Sequence, residues 1–269
     1  MKLNFISMTS DFGTGSEEAA IMKAAAMQIN LDATILDLRH DVPDFNLMEG
    51  AWTLESVSQL PIGSHVCVVD PGVGTDRKCI IIQTARGDML VGPDNGVLIP
   101  AAKRLGGIVK AVDITNEKYM RLPVSPVFHG RDIFAPAAAW LSMGIGIDEF
   151  GPEIPPEKLV KPPYEEAEIT NLQIKAKVIH VNKFGSVSVN ILFDDFSKTG
   201  IKYGDEIVIE LISGKIVAKF MRTFGEVAKK EIVALPDDFG RIEIAVSQGN
   251  FSRRFKVKLE DQINIWKRI

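Results

Sequence analysis

The chain has 269 residues and a mass of 29.6 kDa, a length that favours two domains over one. Apolar residues make up 46% and charged residues 25% of the chain, which excludes a disordered protein, a collagen-like fibre and a small disulfide-built scaffold. The net charge of −4 lacks the basic excess that nucleic-acid-binding proteins usually carry, so we expect no nucleic-acid partner.

The first half alternates short apolar runs with helix-like stretches. Ser16 is placed to cap the first helix, with Glu17 and Glu18 in its first turn, where the helix dipole favours acidic residues. This alternation predicts an α/β domain with a central, mainly parallel sheet over residues 1–160. The predicted strands are 3–10, 33–40, 64–70, a pair within 79–92, and 108–114; the predicted helices are 16–29, 46–60, 96–105 and 132–144.

The pattern changes after a proline-rich stretch at 151–168, and we place a linker at 161–169. The remaining chain, 170–269, has period-two and β-branched runs that are broken at glycine-containing turns. This pattern predicts a small C-terminal β-barrel domain. Its apolar runs are 172–193, 205–222, 229–247 and 254–266.

The cysteines and the hydropathy of the chain indicate the cellular compartment in which the protein works. Cys67 and Cys79 lie in apolar runs and lack the spacing of a C-x-x-C zinc site, which favours buried free thiols in a reducing environment. No run reaches the ~18 apolar residues of a membrane span, and Asp11 comes too early for a signal-peptide apolar core. We therefore expect a cytoplasmic protein without a membrane partner.

Polar residues at predicted strand ends are the first candidates for a site, because ligands of parallel α/β sheets bind at the carboxyl edge. Asp11 follows the first strand, Asp70 the third and Asp94 a later one, while His129 and Asp132 precede a helix. Each residue could instead stabilise a turn, but all lie beside glycines that permit close approach of a ligand.

Several standard sites are absent from the sequence. There is no P-loop, no G-x-G-x-x-G that opens a helix and no G-x-S-x-G elbow, which argues against a nucleotide-binding loop and a serine hydrolase. A metal site lacks H-x-H or H-E-x-x-H spacing, although suitable donors exist. These donors are His40, Asp41, Asp44, Asp70, His129 and Asp132.

Four motifs, taken in order, resemble the S-adenosyl-L-methionine hydroxide adenosyltransferase family, relatives of the fluorinases and chlorinases. They are T-S-D-F-G, V-D-P-G-V-G-T-x-R, G-P-D-N-G and F-H-G-R-D-I-F-A-P-A-A. Further similarity lies in H-V-N-K-F-G-S-V-S-V-N and G-R-I-E-I-A-V-S-Q-G-N, so the resemblance covers nearly the whole chain.

The resemblance implies the same two-domain fold and hydrolysis of S-adenosyl-L-methionine to adenosine and L-methionine without a cofactor or metal. It also implies a homotrimer, with each active site between one subunit's N-terminal domain and a neighbour's C-terminal domain. The family's catalytic Asp, Arg and His fall on Asp70, Arg77 and His129.

Binding residues follow from the same resemblance. Asp11 matches the aspartate that accepts hydrogen bonds from the ribose hydroxyls, and Phe45 matches an aromatic position beside the nucleoside. Phe184 and Phe224 match positions associated with adenine. Ser186 replaces a family asparagine whose amide can read the adenine edge, and a serine would reach that edge less directly.

Three alternatives stay open at this stage. The altered N-K-F-G-S motif is compatible with a non-catalytic adenosine or S-adenosylmethionine-binding protein. A halogenase is disfavoured because Asp70 would repel a halide. A metal-dependent hydrolase would use His40, Asp41 and His129.

Overall fold

The computed structural model of the chain describes residues 4–170 and 173–268. The first residue of the predicted strand at 3–10 and Leu172 therefore lie outside the described residues. The chain divides into two compact units, Met1–Pro163 and Tyr164–Ile269. Across 4–170 and 173–268, no helix combines the length and the apolar character needed to cross a membrane.

The first unit contains the predicted alternation of strands and helices. Its strands are β1 (Phe5–Ser10), β2 (Thr34–Arg39), β3 (Ser64–Val68), β4 (Cys79–Thr84), β5 (Met89–Pro93) and β6 (Ile108–Asp113). Its α-helices are α1 (Glu17–Ile29), α2 (Leu47–Glu55), α3 (Ile99–Arg104) and α4 (Ala135–Ser142).

These strands form one sheet in the order β2-β1-β3-β5-β4-β6. The β1–β2, β1–β3 and β3–β5 pairs are parallel, whereas β4 runs antiparallel to both β5 and β6. The predicted mainly parallel sheet is thereby confirmed. Helix α1 packs on α4 and α2 packs on α3, and the apolar faces of α1 and α4 share a core with β1 and β3.

Two predicted helices begin or end differently in the structure. The helix predicted at 46–60 is α2, capped by the Asn46 side chain, followed by a 3₁₀ turn at Ser56–Gln59. The helix predicted at 132–144 starts as a π-helical turn, Gly130–Phe134, before α4. Pro136 has no N–H to donate to the Asp132 carbonyl, which instead accepts the Arg121 N–H at 2.8 Å.

The second unit is built from strands. They are β7 (Glu168–Ile169), β8 (Ile174–Val181), β9 (Val187–Leu192), β10 (Glu206–Leu211), β11 (Gly214–Phe220), β12 (Ile232–Pro236), β13 (Arg241–Val246) and β14 (Gln262–Lys267). Two short helices, α5 (Phe193–Ser197) and α6 (Phe251–Phe255), interrupt them.

The strands of this unit close into a barrel. Their order is β14-β10-β11-β12-β13-β9-β8-β7, and β14 pairs back on β8. Within the described residues the closed ring therefore has seven strands, with β7 extending the sheet beside β8. Inward-facing side chains fill the interior, for example Ile242 and Ile244 of β13. The predicted C-terminal barrel is confirmed.

The segment predicted as a linker, 161–169, contains the division between the two units. Residues from Tyr164 onward belong to the barrel unit because polar contacts fasten them to it. The Glu166 carboxylate accepts two hydrogen bonds of 3.0 Å from the buried Arg241 guanidinium. Asn190 Nδ2 donates to the Glu165 carbonyl at 2.7 Å.

Candidate functional site

A cavity of about 220 Å³ lies at the carboxyl edge of the parallel strands of the first unit. Asp11 directly follows β1 and Asp70 follows β3, so adjacent parallel strands deliver both carboxyl groups to this edge. The cavity is lined by Asp11, Phe12, Asp44, Phe45, Val68, Asp70, Val73, Val127, Phe128, His129 and Gly130.

The reversed strand β4 explains how Arg77 reaches the same place. Because β4 is antiparallel to its neighbours, its amino end lies at the edge where the parallel strands have their carboxyl ends. Arg77 precedes β4 by two residues and lies in the loop between β3 and β4, which also carries Asp70.

Asp70, Arg77 and His129 form one hydrogen-bonded group. The Arg77 Nε is 3.0 Å from each oxygen of the Asp70 carboxylate, and Nη2 donates to Oδ2 as well. Nη2 also lies 2.8 Å from Nδ1 of His129. The structure thus brings together the three residues predicted to be catalytic, and such a forked pairing holds a carboxylate in one orientation.

The contact with Arg77 determines the protonation state and the tautomer of His129. Burial and the neighbouring positive charge of Arg77 lower the pKa of His129, which favours the neutral imidazole. A neutral ring whose Nδ1 accepts from Arg77 carries its proton on Nε2. His129 lines the cavity and in this state is a hydrogen-bond donor at Nε2.

Cys79 is a member of this group that the sequence analysis treated only as a buried thiol. Its Sγ lies 2.9 Å from Nη1 of Arg77 and 3.8 Å from Nδ1 of His129. Burial raises the pKa of the thiol, so the sulfur is a neutral acceptor. The i, i+2 spacing of Arg77 and Cys79 at a strand start, which places both on one face, was the available signal.

Asp11 and Phe45 meet at the cavity mouth. The Asp11 Oδ2 accepts the backbone N–H of Phe45 at 2.9 Å, and burial raises the pKa of Asp11. Phe45 has a φ of 59°, a left-handed conformation that is strained for a bulky residue, and its side chain is 68% exposed. Strain of this kind is often found where a residue meets a ligand.

The resemblance implies that Asp11 accepts hydrogen bonds from the ribose hydroxyls. Replacing Asp11 with Asn is therefore expected to weaken adenosine binding by about 1–3 kcal/mol, because a neutral amide accepts such hydrogen bonds less strongly than a carboxylate. The Asn oxygen can still accept the Phe45 N–H, so the thermal unfolding midpoint should change little. Titration calorimetry with adenosine measures the effect. Asp32→Asn, an exposed residue in the turn after α1, is the matched control. Unchanged affinity with a sharply lowered midpoint would show that Asp11 is a structural residue.

Other candidate residues have structural partners instead. Asp94 accepts the backbone N–H of Val160 at 3.0 Å and does not line the cavity. The Asp132 carboxylate is buried and accepts from Arg121, Arg131 and the Ser125 N–H.

The side chains named above as suitable metal donors are not placed to hold one ion together. His40 uses Nδ1 on Ser10, at 2.7 Å, and Nε2 on Asp37, at 3.1 Å. Among residues 4–170 and 173–268, no group of three or more His, Cys, Asp or Glu side chains is placed to hold a metal ion.

The remaining predicted residues lie in the barrel unit. Phe184, Ser186 and Phe224 line a second cavity of about 660 Å³. Phe184 is 66% and Phe224 42% exposed, so neither ring is part of the barrel core, whereas Ser186 is buried. The structure thus brings these three together within their own unit.

Comparison with known proteins assigns both units of the chain to one family. Residues 6–151 match the SAM hydroxide adenosyltransferase N-terminal domain, and residues 176–264 match the C-terminal domain. The chain is 34% identical over 262 residues to a protein of Salinispora tropica named (R)-S-adenosyl-L-methionine hydrolase, covering 97% of both chains. A protein of the same name from Methanocaldococcus jannaschii is 34% identical, with 98% of this chain and 96% of that protein covered.

A crystal structure of an uncharacterized conserved protein from Thermotoga maritima superposes with a TM-score of 0.89 at 34% identity, covering 97% of this chain and 99% of that one. A fluorinase from Nocardia brasiliensis is more distant, at 23% identity over 232 residues and 77% coverage of each chain. With both domains matched over most of the chain, this protein belongs to the SAM hydroxide adenosyltransferase family.

Proposed function

We propose that the protein hydrolyses S-adenosyl-L-methionine to adenosine and L-methionine by attack of water on the ribose C5′. The observation that carries this proposal is the Asp70–Arg77–His129 group at the cavity that Asp11 also lines. A carboxylate held in place beside a neutral imidazole is suited to orienting a water molecule.

The chemistry of the substrate sets what the residues must do. Sulfur leaves as a neutral thioether that takes the C5′–S bonding electrons, so no general acid is needed at the leaving group. Water supplies the new C5′–O bond and loses one proton. Asp70 accepts that proton or the hydrogen bond that orients the water through Oδ1, which accepts one hydrogen bond from Arg77 and keeps a lone pair, whereas Oδ2 accepts two.

His129 and Arg77 have different tasks in this proposal. His129 donates a hydrogen bond from Nε2 to the attacking water oxygen. The water is thereby oriented by a second contact in addition to the one with Asp70. Arg77 makes its contacts to Asp70, His129 and Cys79, so it acts by holding the other groups. Keeping water and C5′ in a near-attack arrangement can contribute ~7–11 kcal/mol in favourable cases.

Substrate binding divides between the two cavities. Asp11 accepts hydrogen bonds from the ribose diol, Phe45 packs beside the nucleoside, and Phe184 and Phe224 contact the adenine with Ser186 nearby.

We propose a homotrimer in which the barrel of a neighbouring subunit supplies Phe184, Ser186 and Phe224. Analytical ultracentrifugation of the purified protein tests this assembly by its mass.

The test of function is incubation of the purified protein with S-adenosyl-L-methionine and chromatographic detection of adenosine. Adenosine and methionine in equal amounts support the proposal. Binding of adenosine without any turnover would identify a binding protein instead. A 5′-chloronucleoside formed faster than adenosine in high chloride would identify a halogenase, which the Asp70 carboxylate at the cavity disfavours.

We propose that catalysis needs no metal or cofactor, so treatment with EDTA should leave the rate unchanged within about 10%. The reason is that the leaving group is neutral and that Asp70 and His129 are already engaged with Arg77. The measurement is adenosine formation before and after chelation and dialysis. A rate that falls on chelation and returns with a divalent ion would contradict the metal-free mechanism.

The compartment we propose is the cytoplasm. Cys67 and Cys79 are both free and buried, and burial raises the pKa of each thiol. Unpaired cysteines are typical of proteins that work in a reducing environment.

A further inference from the structure

The cavity of the barrel unit has a composition that suits a flat heterocycle with polar edges. Its lining combines two exposed aromatic rings with one carboxyl group, a hydroxyl and several amides. The lining residues are Asn182, Phe184, Ser186, Phe224, Glu243, Val246, Gln248, Gly249 and Asn250. Glu243 is absent from the residues predicted from the sequence.

The turn that carries Phe184 and Ser186 is fixed before any ligand arrives. Asn182 Oδ1 accepts the backbone N–H groups of Phe184 and Ser186, at 3.0 and 3.1 Å. Gly185 between them has a φ of 82°, and a Cβ there would lie 2.1 Å from the Asn250 side chain. The backbone of this turn therefore fixes the positions from which the Phe184 ring and the Ser186 hydroxyl extend.

Glu243 lies on β13, opposite Ser188 of β9 and Leu235 of β12. Its half-buried carboxyl group accepts a hydrogen bond from the Ser186 hydroxyl. A carboxylate offers about four acceptor positions, and one serine occupies a single one. The carboxylate can therefore accept a further N–H from a molecule in the cavity.

The environment of Glu243 favours an N–H donor from a bound molecule at its carboxylate. Burial raises the pKa of Glu243, as do Asp237 and Asp238 in the turn between β12 and β13, whereas the hydrogen bond from Ser186 and the charge of His180 on β8 act in the opposite direction. Lys183 lies over the Phe184 ring, at 5.0 Å from its centre. An incompletely solvated carboxylate gains more from a neutral N–H donor than an exposed one does.

We propose that Glu243, held by Ser186, accepts a hydrogen bond from the exocyclic amino group of the base and thereby selects a 6-aminopurine over a 6-oxopurine. A 6-oxopurine would bring carbonyl lone pairs against the carboxylate, which is repulsive. Glu243 is in this view a specificity-determining residue that replaces the missing asparagine amide at position 186. The inference rests on the proposed function for the identity of the ligand as an adenine nucleoside.

The experiment compares adenosine with inosine by titration calorimetry on the full-length protein. Wild type should bind adenosine at least 10-fold more tightly than inosine. Glu243→Gln should reduce that preference by about 10-fold, because the glutamine amide can turn its NH₂ toward a 6-oxo group. Glu243→Asp, which keeps the charge but shortens the reach, should also reduce it. Glu210→Gln on β10, outside the cavity, is the matched control and should keep the wild-type ratio.

The outcomes separate this inference from the proposed function. An unchanged ratio in both Glu243 variants, each with wild-type thermal unfolding, overturns the inference even if the protein hydrolyses S-adenosyl-L-methionine. Failure of the wild type to bind or distinguish the two nucleosides overturns it as well. A ratio that falls as expected in a protein that produces no adenosine from S-adenosyl-L-methionine supports the inference and contradicts only the proposed activity.

Discussion

Because we propose that Asp70 orients the attacking water, Asp70→Asn is expected to lower kcat for S-adenosyl-L-methionine hydrolysis by about 100-fold or more, the usual size of a general-base contribution. The amide accepts a proton poorly and presents an NH₂ group where an acceptor is required. It also faces the Arg77 Nε with a possible donor, which weakens the paired geometry. Initial rates of adenosine formation at saturating substrate measure the loss.

Adenosine affinity provides the internal check on this variant. Asp70 is expected to act on the water and not on the nucleoside, so the Kd for adenosine should change less than about threefold. Asp76→Asn, an exposed residue of the same loop, is the matched control and should retain the wild-type kcat. An Asp70→Asn protein with wild-type kcat would remove Asp70 from the reaction.

Arg77→Lys is expected to be the second most damaging change, with kcat lower by about 100-fold. The guanidinium pairs with Asp70 through two nitrogens, bonds His129 and contacts Cys79, and it lies 5.4 Å from the Phe134 ring centre. A lysine has one point of contact and cannot reproduce this fork. Stopped-flow or steady-state rates with Arg77→Lys measure the effect, alongside thermal unfolding to show that the fold is retained.

The double variant, Asp70→Asn with Arg77→Lys, provides the sharper result. If both residues serve one water molecule, its rate loss should fall well short of the product of the two single losses. Rate losses that multiply would indicate two independent functions. Lys78→Arg, at the next position and exposed, is a control for charge-conserving change in this segment.

Asp11, Asp70 and His129 were candidates from the residues alone, whereas the role of Arg77 was predicted only from the family resemblance. Asp11 and Asp70 follow apolar runs, and the rule that parallel strands share a carboxyl edge brings them together. The part played by Arg77 depends on the reversal of β4, which a run of apolar residues cannot show. The π-helical turn after His129 results from the missing N–H of Pro136, an effect that helix periodicity does not register.

The fold was predicted to a similar extent. Alternating patterns indicated the α/β layer and the barrel, but ring closure depends on pairing of β14 with β8, far apart in sequence. The division between the units lies within the predicted linker, 161–169. The binding of Glu166 by Arg241 is a contact that no local pattern predicts. Glu243 was missed because its strand reads as an ordinary alternating β-run.

The cavity of the first unit carries an excess of carboxyl groups, and this charge imbalance affects the release of the product. Among its described lining residues are the carboxyl groups of Asp11, Asp44 and Asp70, while the neighbouring guanidinium of Arg77 is committed to Asp70. A sulfonium entering this field is a cation, and the adenosine that remains after reaction is uncharged. The same carboxylates that attract the reactant therefore have no charge to hold in the product, so departure of the nucleoside is favoured by the reaction itself.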